Sequence, residues 1–204
     1  MQRCLKRIKR VITWESRLVK ALIFLATGFE EIETVTIVDV LRRAGIDVTV
    51  AGLTPSIVEG AHAVKIAPDT SIDKVNVTEF DAVIVPGGNP GYKNLRKDPR
   101  VINAIRKAFE SGKLVAAVCA APAVLSDAGI LKGKTCTIYP GMENELEKGG
   151  GKPKQDIVVV DGNIITSRGP ATTLPFALVL AEKLAGKQAA ETVGKKTMAN
   201  LLRW

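Results

Sequence analysis

Lys113-Leu114-Val115-Ala116-Ala117-Val118-Cys119-Ala120-Ala121-Pro122-Ala123-Val124-Leu125-Ser126-Asp127 is the stretch on which the reading of the fold turns. Its first half, Leu114 to Val118, is a short apolar run of the kind that forms a strand buried on both faces. Its second half is alanine-rich and places Pro122 where a first helical turn accepts it, because proline's missing N–H would be unpaired there anyway. Cys119 therefore falls at a sharp strand-to-helix junction, with Ala120 and Ala121 leaving room beside its sulfur. The unpaired N–H groups and partial positive charge of a helix start favour thiolate over thiol at such a position. Position alone leaves two readings open: a structural cysteine, the commoner fate of a lone Cys in an apolar run, and a reactive one.

Working upstream, Phe80–Val85 reads as a second buried strand, broken by Pro86-Gly87-Gly88-Asn89-Pro90-Gly91, and Arg100–Ser111 as a helix closed by Gly112. Lys20–Ala26 is a first strand, Thr27-Gly28-Phe29 a turn, and Glu30–Ala44 a helix ended by Gly45. That helix has acids in its first turn and Arg42-Arg43 in its last, as the dipole favours, with Ile32, Val35, Ile37, Val38 and Leu41 as its apolar face. Ile46–Ala51 is the next strand, followed by a hairpin with Val64–Ile66 as one arm. Downstream, Thr135–Tyr139 reads as strand and Glu143–Lys148 as a short helix. Ile157–Val160 and Ile164–Ser167 form a hairpin around Asp161-Gly162-Asn163. Thr172–Ala185 and Ala189–Leu202 are the last helices. Strands alternating with helices predict a mostly parallel sheet with helices on both faces. With no internal repeat or low-complexity linker, residues 19–204 read as one domain.

The 46% hydrophobic content of the 204 residues is enough for one sizeable core. The net charge of +8 is uneven: residues 1–20 hold seven Lys or Arg against Glu15 alone, so the other 184 residues carry only +2. The basic charge thus belongs to the N-terminal extension, 1–18, and no nucleic-acid partner is expected for the domain. In that extension Leu5, Ile8, Val11 and Ile12 fall at helical spacing among Lys and Arg. Three readings fit it: an over-long start or loose tail, an organelle-targeting segment, or a helix for a membrane surface or partner. Three cysteines, Cys4, Cys119 and Cys136, show no metal spacing, and His62 is the only histidine, so no zinc site is expected. Such cysteine usage suits a reducing compartment, the cytoplasm. No apolar run approaches the roughly 18 residues of a membrane span.

Ligands of doubly wound sheets gather beyond the carboxyl ends of the strands. Three stretches arrive there: Gly28–Glu33, Pro86–Gly91 and Cys119-Ala120. Gly87 and Gly88 would let backbone N–H groups approach a bound oxygen. Of the three carboxylates Glu30, Glu31 and Glu33, ordinary helix-start charge accounts for two, and the third is a candidate acid/base partner for a cysteine. His62 lies in the polar hairpin and reads as a surface or interface histidine rather than a base. Cys4 and Cys136 read as bystanders.

Four motifs, Gly28-Phe29-Glu30-Glu31-Ile32-Glu33-Thr34-Val35, Asp81-Ala82-Val83-Ile84-Val85-Pro86-Gly87-Gly88, Ala117-Val118-Cys119-Ala120-Ala121-Pro122-Ala123 and Thr166-Ser167-Arg168-Gly169-Pro170, resemble the ThiJ/PfpI superfamily, in its deglycase (YajL-like) branch. The resemblance runs from about Val19 to Leu202. It implies a flavodoxin-like α/β sandwich of the class I glutamine-amidotransferase type and a homodimer. It also implies a cofactor-independent glyoxalase or protein deglycase acting on methylglyoxal, glyoxal or their early adducts, without metal. By motif, Cys119 is the nucleophile and Glu33 its acid/base partner. Gly87, Gly88 and Ala120 supply backbone groups around the substrate oxygen, and Arg43, His62 and Tyr139 lie at the dimer interface or pocket rim. The same cysteine and glutamate would serve a redox-sensing, stress-protective chaperone. Three positions depart from relatives: Ala120 stands where the peptidase branch has histidine, Tyr139 where close relatives carry a histidine, and His62 where they place an arginine. The first disfavours an intracellular peptidase.

Overall fold

The computed structural model describes residues 17–202. In chain order the strands are β1 (Lys20–Leu25), β2 (Asp47–Gly52), β3 (Val58–Glu59), β4 (Lys65–Ile66), β5 (Thr70–Ser71), β6 (Ala82–Val85), β7 (Leu114–Val118), β8 (Thr135–Cys136), β9 (Lys152–Pro153), β10 (Val158–Asp161) and β11 (Ile164–Ser167). The helices are α1 (Glu31–Arg43), α2 (Gly91–Lys97), α3 (Pro99–Glu110), α4 (Pro122–Asp127), α5 (Glu143–Lys148), α6 (Thr173–Ala185) and α7 (Lys187–Lys196). Seven strands form one sheet in the order β10-β11-β7-β6-β1-β2-β5, parallel throughout except for the β10–β11 hairpin. β3 pairs with β4 and β8 with β9 outside it.

The central strands β1, β6 and β7 are buried on both faces, and alternate residues enter two separate cores. Leu22, Phe24, Val83, Val85, Val115 and Ala117 pack towards α3 and α4. Ala21, Ile23, Ala82, Ile84, Ala116 and Val118 pack towards α1 and α6. The result is a flavodoxin-like sandwich. The order β7-β6-β1 brings the carboxyl ends of the three expected loops side by side.

Several elements differ from the sequence reading. α1 buries Ile37, Val40 and Leu41 but leaves Ile32 57% and Val35 50% exposed, so two of its expected core residues face outward. The Pro86–Gly91 break ends in a seven-residue helix, α2, which Pro90 caps. Only Thr135–Cys136 of the expected 135–139 strand is paired as strand, with β9 rather than with the main sheet. The last helix stops at Lys196; Met198 then turns into the left-handed region at φ +58°. Cys4 and the amphipathic segment of Leu5, Ile8, Val11 and Ile12 lie outside the described residues. Among the described residues, no helix is long and apolar enough to cross a membrane.

Candidate active site

Cys119 follows the last residue of β7 and adopts φ +62°, in the left-handed region. A non-glycine residue there costs roughly 1–2 kcal/mol. The surroundings hold it: its N–H donates to the Ser167 carbonyl at 3.0 Å, and its carbonyl accepts from the Tyr139 N–H at 2.8 Å. α4 begins three residues later with Pro122 in its first turn. The chain therefore leaves the sheet at a strained elbow that turns the sulfur towards the loops after β1 and β6.

Glu33 comes from the first turn of α1 and has no exposed surface. Its Oε2 accepts the Gly87 N–H at 2.7 Å. Its Oε1 is buried without an ordinary hydrogen-bond partner among the described residues, the kind of orphan that calls for a chemical explanation. A Cβ on Gly87 would lie 2.7 Å from both Glu33 Oε2 and Cys119 Cβ, so only glycine lets the loop pass between the two side chains. Gly87 thus orients the carboxyl, and its N–H is not free for a substrate oxygen, unlike the expectation from sequence. The N–H groups of Ala120 and Gly88 do lie against the sulfur.

Burial pushes Glu33 up to about 7; the Gly87 N–H and Cys119 pull against that rise, and the Glu30 charge adds to it. Burial, the Glu33 charge and the Glu33 hydrogen bond push the Cys119 thiol up to about 12, against the pull of the Ala120 and Gly88 N–H groups. Burial first, and the ionised Glu33 after it, override the helix-start argument, which favoured thiolate. When Glu33 carries the proton, its repulsion vanishes and the carboxyl can donate towards the sulfur. Sulfur and carboxyl therefore behave as a pair sharing one proton.

The sulfur opens into a cavity of about 480 Å³ whose lining includes Glu30, His62, Gly88, Ala120 and Tyr139. His62, from the turn between β3 and β4, has its N–H 2.5 Å from Glu31 Oε1 and its Nδ1 2.9 Å from Glu31 Oε2. Hydrogen bonding to Glu31 raises the His62 pKa. Burial pushes Glu31 up, but the bonds from His62 outweigh it and leave that carboxyl below its ordinary value. Arg43 does not line the cavity; it is exposed at the far end of α1 and pairs with Asp39 at 2.7 Å. Cys136 is fully buried, its thiol pushed up to about 11 by that burial. Tyr92 and Lys93 also line the cavity. They sit in the first turn of α2, a segment that the sequence left unassigned between the Pro86–Gly91 break and the helix from Arg100; Pro90 before Gly91 was the signal of a helix start.

A strained cysteine after a central strand of a mostly parallel α/β sheet, facing a buried carboxyl from α1, makes up the candidate site. The chain belongs to the DJ-1/PfpI family, whose model matches residues 19–183. It is 46% identical to Protein dj-1beta of Drosophila melanogaster over 176 residues, 86% of this chain and 94% of that one. The crystal structure of Drosophila melanogaster DJ-1beta superposes with a TM-score of 0.84 at 43% identity, covering 92% of this chain and all of that one. Glutathione-independent glyoxalase DJR-1.2 of Caenorhabditis elegans is 36% identical, covering 78% of this chain and 84% of that one. Deglycase PH1704 of Pyrococcus horikoshii is 35% identical, covering 75% and 92%.

Proposed function

We propose that this chain is a cofactor-independent glyoxalase or deglycase that takes methylglyoxal, glyoxal or their early adducts, with Cys119 as nucleophile and Glu33 as acid and base. The observation that carries the reading is the buried carboxyl, raised to about 7, placed against the one cysteine among the described residues that lines the cavity. A group whose pKa lies near the working pH can both give and take a proton. The names of the glyoxalase and deglycase relatives favour the same chemistry.

With the shared proton on Glu33, the sulfur attacks the aldehyde carbon of methylglyoxal. A C–S bond forms, the carbonyl electron pair moves to oxygen, and Glu33 protonates that oxygen to give a hemithioacetal. Glu33, now a carboxylate, takes the proton from the same carbon, and the electrons form an enediolate. It returns that proton to the neighbouring carbon while the hydroxyl proton passes between the two oxygens, leaving a lactoyl thioester. Water then splits the thioester to lactate and free thiol. The Ala120 and Gly88 N–H groups hold the developing oxyanion. This sequence calls on no metal or organic cofactor.

A second reading, peroxide sensing in a stress-protective chaperone, draws on the orphan Oε1 of Glu33. Two equivalents of peroxide would convert the Cys119 thiolate to sulfinate, releasing two waters, and a protonated Glu33 would donate to the new oxygen. Ala120 beside the nucleophile speaks against a peptidase. We also read residues 1–18 as an extension outside a single domain, the compartment as cytoplasmic and the assembly as a homodimer.

The test is loss of methylglyoxal without glutathione, followed for wild type, Cys119→Ser and Glu33→Gln. Cys119→Ser should be inactive, and Glu33→Gln should fall by roughly 10²–10⁴-fold, the usual worth of general acid/base catalysis. Glu30→Gln and Glu31→Gln should cost far less. Wild-type turnover by Cys119→Ser would sink the enzymatic reading. Unchanged turnover by Glu33→Gln would remove Glu33 from it.

A further inference from the structure

Glu30, Glu31 and His62 form a second group of chemically active side chains, on the wall of the cavity rather than at its floor. One ligand atom from each lies within 4.8 Å of the other two. Glu30 and Glu31 are each 8% exposed, so both residues are largely buried, and a carboxylate drawn out of water is costly without a compensating partner. His62 compensates Glu31 through its backbone N–H and ring. Glu30 has no such partner: Oε2 takes the Glu33 N–H as the helix cap, and among the described residues Oε1 has none, although Glu30 lines the cavity. A carboxylate oxygen without a hydrogen-bond partner among the described residues therefore faces the same space as the only imidazole of the chain.

We propose that Glu30, Glu31 and His62 bind a divalent transition ion of the zinc and cobalt class at the cavity wall. The donor set is one imidazole nitrogen and two carboxylate oxygens. That is a borderline set suited to such ions, and with three protein ligands it leaves a coordination position open to water. Calcium or magnesium would find too few oxygens and an unwanted nitrogen. The cysteine spacing and the single histidine gave no expectation of a zinc site; this one joins that histidine to two carboxylates that the spacing argument did not weigh. Binding replaces the His62–Glu31 hydrogen bond by two bonds to the ion and supplies the positive charge that Glu30 lacks. His62 is held by a tight turn: Ala63 adopts φ +67°, and a Cβ on Gly60 would lie 2.4 Å from Glu31 Oε1. The turn thus keeps the ring against α1 before any ion arrives. The site uses neither Cys119 nor Glu33, so the proposal stands apart from the thiol chemistry above.

Calorimetric titration of the full chain with zinc, at neutral pH, tests it in wild type, Cys119→Ser, His62→Ala and Glu31→Gln. One ion per chain should bind wild type and Cys119→Ser alike. Loss of a ligand should cost at least the roughly tenfold typical of losing an outer-shell partner, so His62→Ala and Glu31→Gln should bind at least that much more weakly. His62 is largely exposed and Gln retains an acceptor for its N–H, so both variants should unfold at the wild-type temperature without metal. Zinc should then raise the unfolding temperature of Cys119→Ser but not of His62→Ala, because only an ion bound to the folded state stabilises it. The proposal is overturned by absence of saturable binding, by unaltered affinity in His62→Ala, or by binding that disappears in Cys119→Ser, which would place the ion on the thiol.

Discussion

Glu33 holds its proton about 2.5 pH units longer in the folded chain than its ordinary value of 4.5 allows, because burial penalises the charge. Below about 4.5 it is protonated both folded and unfolded and costs nothing. Between about 4.5 and 7 the unfolded chain has lost the proton and the folded chain has not, so stability falls as pH rises; above about 7 the loss is complete. At about 1.4 kcal/mol per unit, ionised Glu33 destabilises the fold by on the order of 3 kcal/mol, with no exposed surface to screen it. Glu33→Gln keeps the shape and removes the charge. Urea unfolding should therefore find the variant more stable than wild type at pH 8 by that order, and nearly equal to it at pH 4. Equal stability at both pH values would mean that Glu33 is not held in this way. Cys119 and Cys136 give a second contrast. Both thiols are raised, but only Cys119 opens into the cavity. Iodoacetamide or peroxide should modify Cys119 first, and mass spectrometry showing equal labelling of both would contradict the elbow geometry.

The loop after β6 shows how closely the site is built. Gly87→Ala would press a methyl against Glu33 and Cys119 in a region without free volume. Overpacking of this kind costs typically about 1–3 kcal/mol, and the displaced carboxyl should also reduce turnover. Gly169→Ala is the control: its new Cβ would meet only the Tyr139 ring, at 3.6 Å, and its φ of 168° is extended backbone open to any residue. It should unfold within about 1 kcal/mol of wild type. What the sequence reveals at this level follows from how local each signal is. The apolar runs of β1, β6 and β7 announce themselves because strands buried on both faces tolerate nothing else. The turn at Gly162 and the helix stop at Gly45 show because positive φ selects glycine. α1 misleads because Glu-Ile-Glu-Thr-Val-Thr-Ile-Val-Asp-Val-Leu carries apolar residues on two faces. Sending Glu33 inward with Ile37, Val40 and Leu41 forces Ile32 and Val35 outward. α7 ends early with no proline or glycine at its stop, so nothing local marks the end. The raised Cys119 pKa was likewise hidden, because it depends on burial in the folded chain and on a carboxyl 86 positions away in sequence.

The outward residues of α1 bear on the whole assembly. Ile32, Val35, Asp39 and Arg43 follow one another at three- and four-residue spacing, so they form one stripe on the side opposite the core. The β3–β4 hairpin adds Ile57, 67% exposed, and Val64, and the His62–Glu31 bonds tie that hairpin to the start of α1. Apolar surface concentrated beside a cavity, with charges at its edge, is characteristic of a protein interface. Light scattering at micromolar concentration should therefore give a homodimer. Val35→Glu would bury a carboxylate without a partner at the centre of that contact, a cost of several kcal/mol against association. It should yield a monomer with the wild-type far-ultraviolet circular dichroism and an unchanged count of titratable thiols. Leu202→Glu, on an exposed apolar residue at the other end of the chain, should remain dimeric. A monomeric wild type would remove the interface altogether. A dimer that persists in Val35→Glu and is lost in Leu202→Glu would move it to the C-terminal apolar group of Met198, Leu201 and Leu202, and the exposed face of α1 would then need another partner.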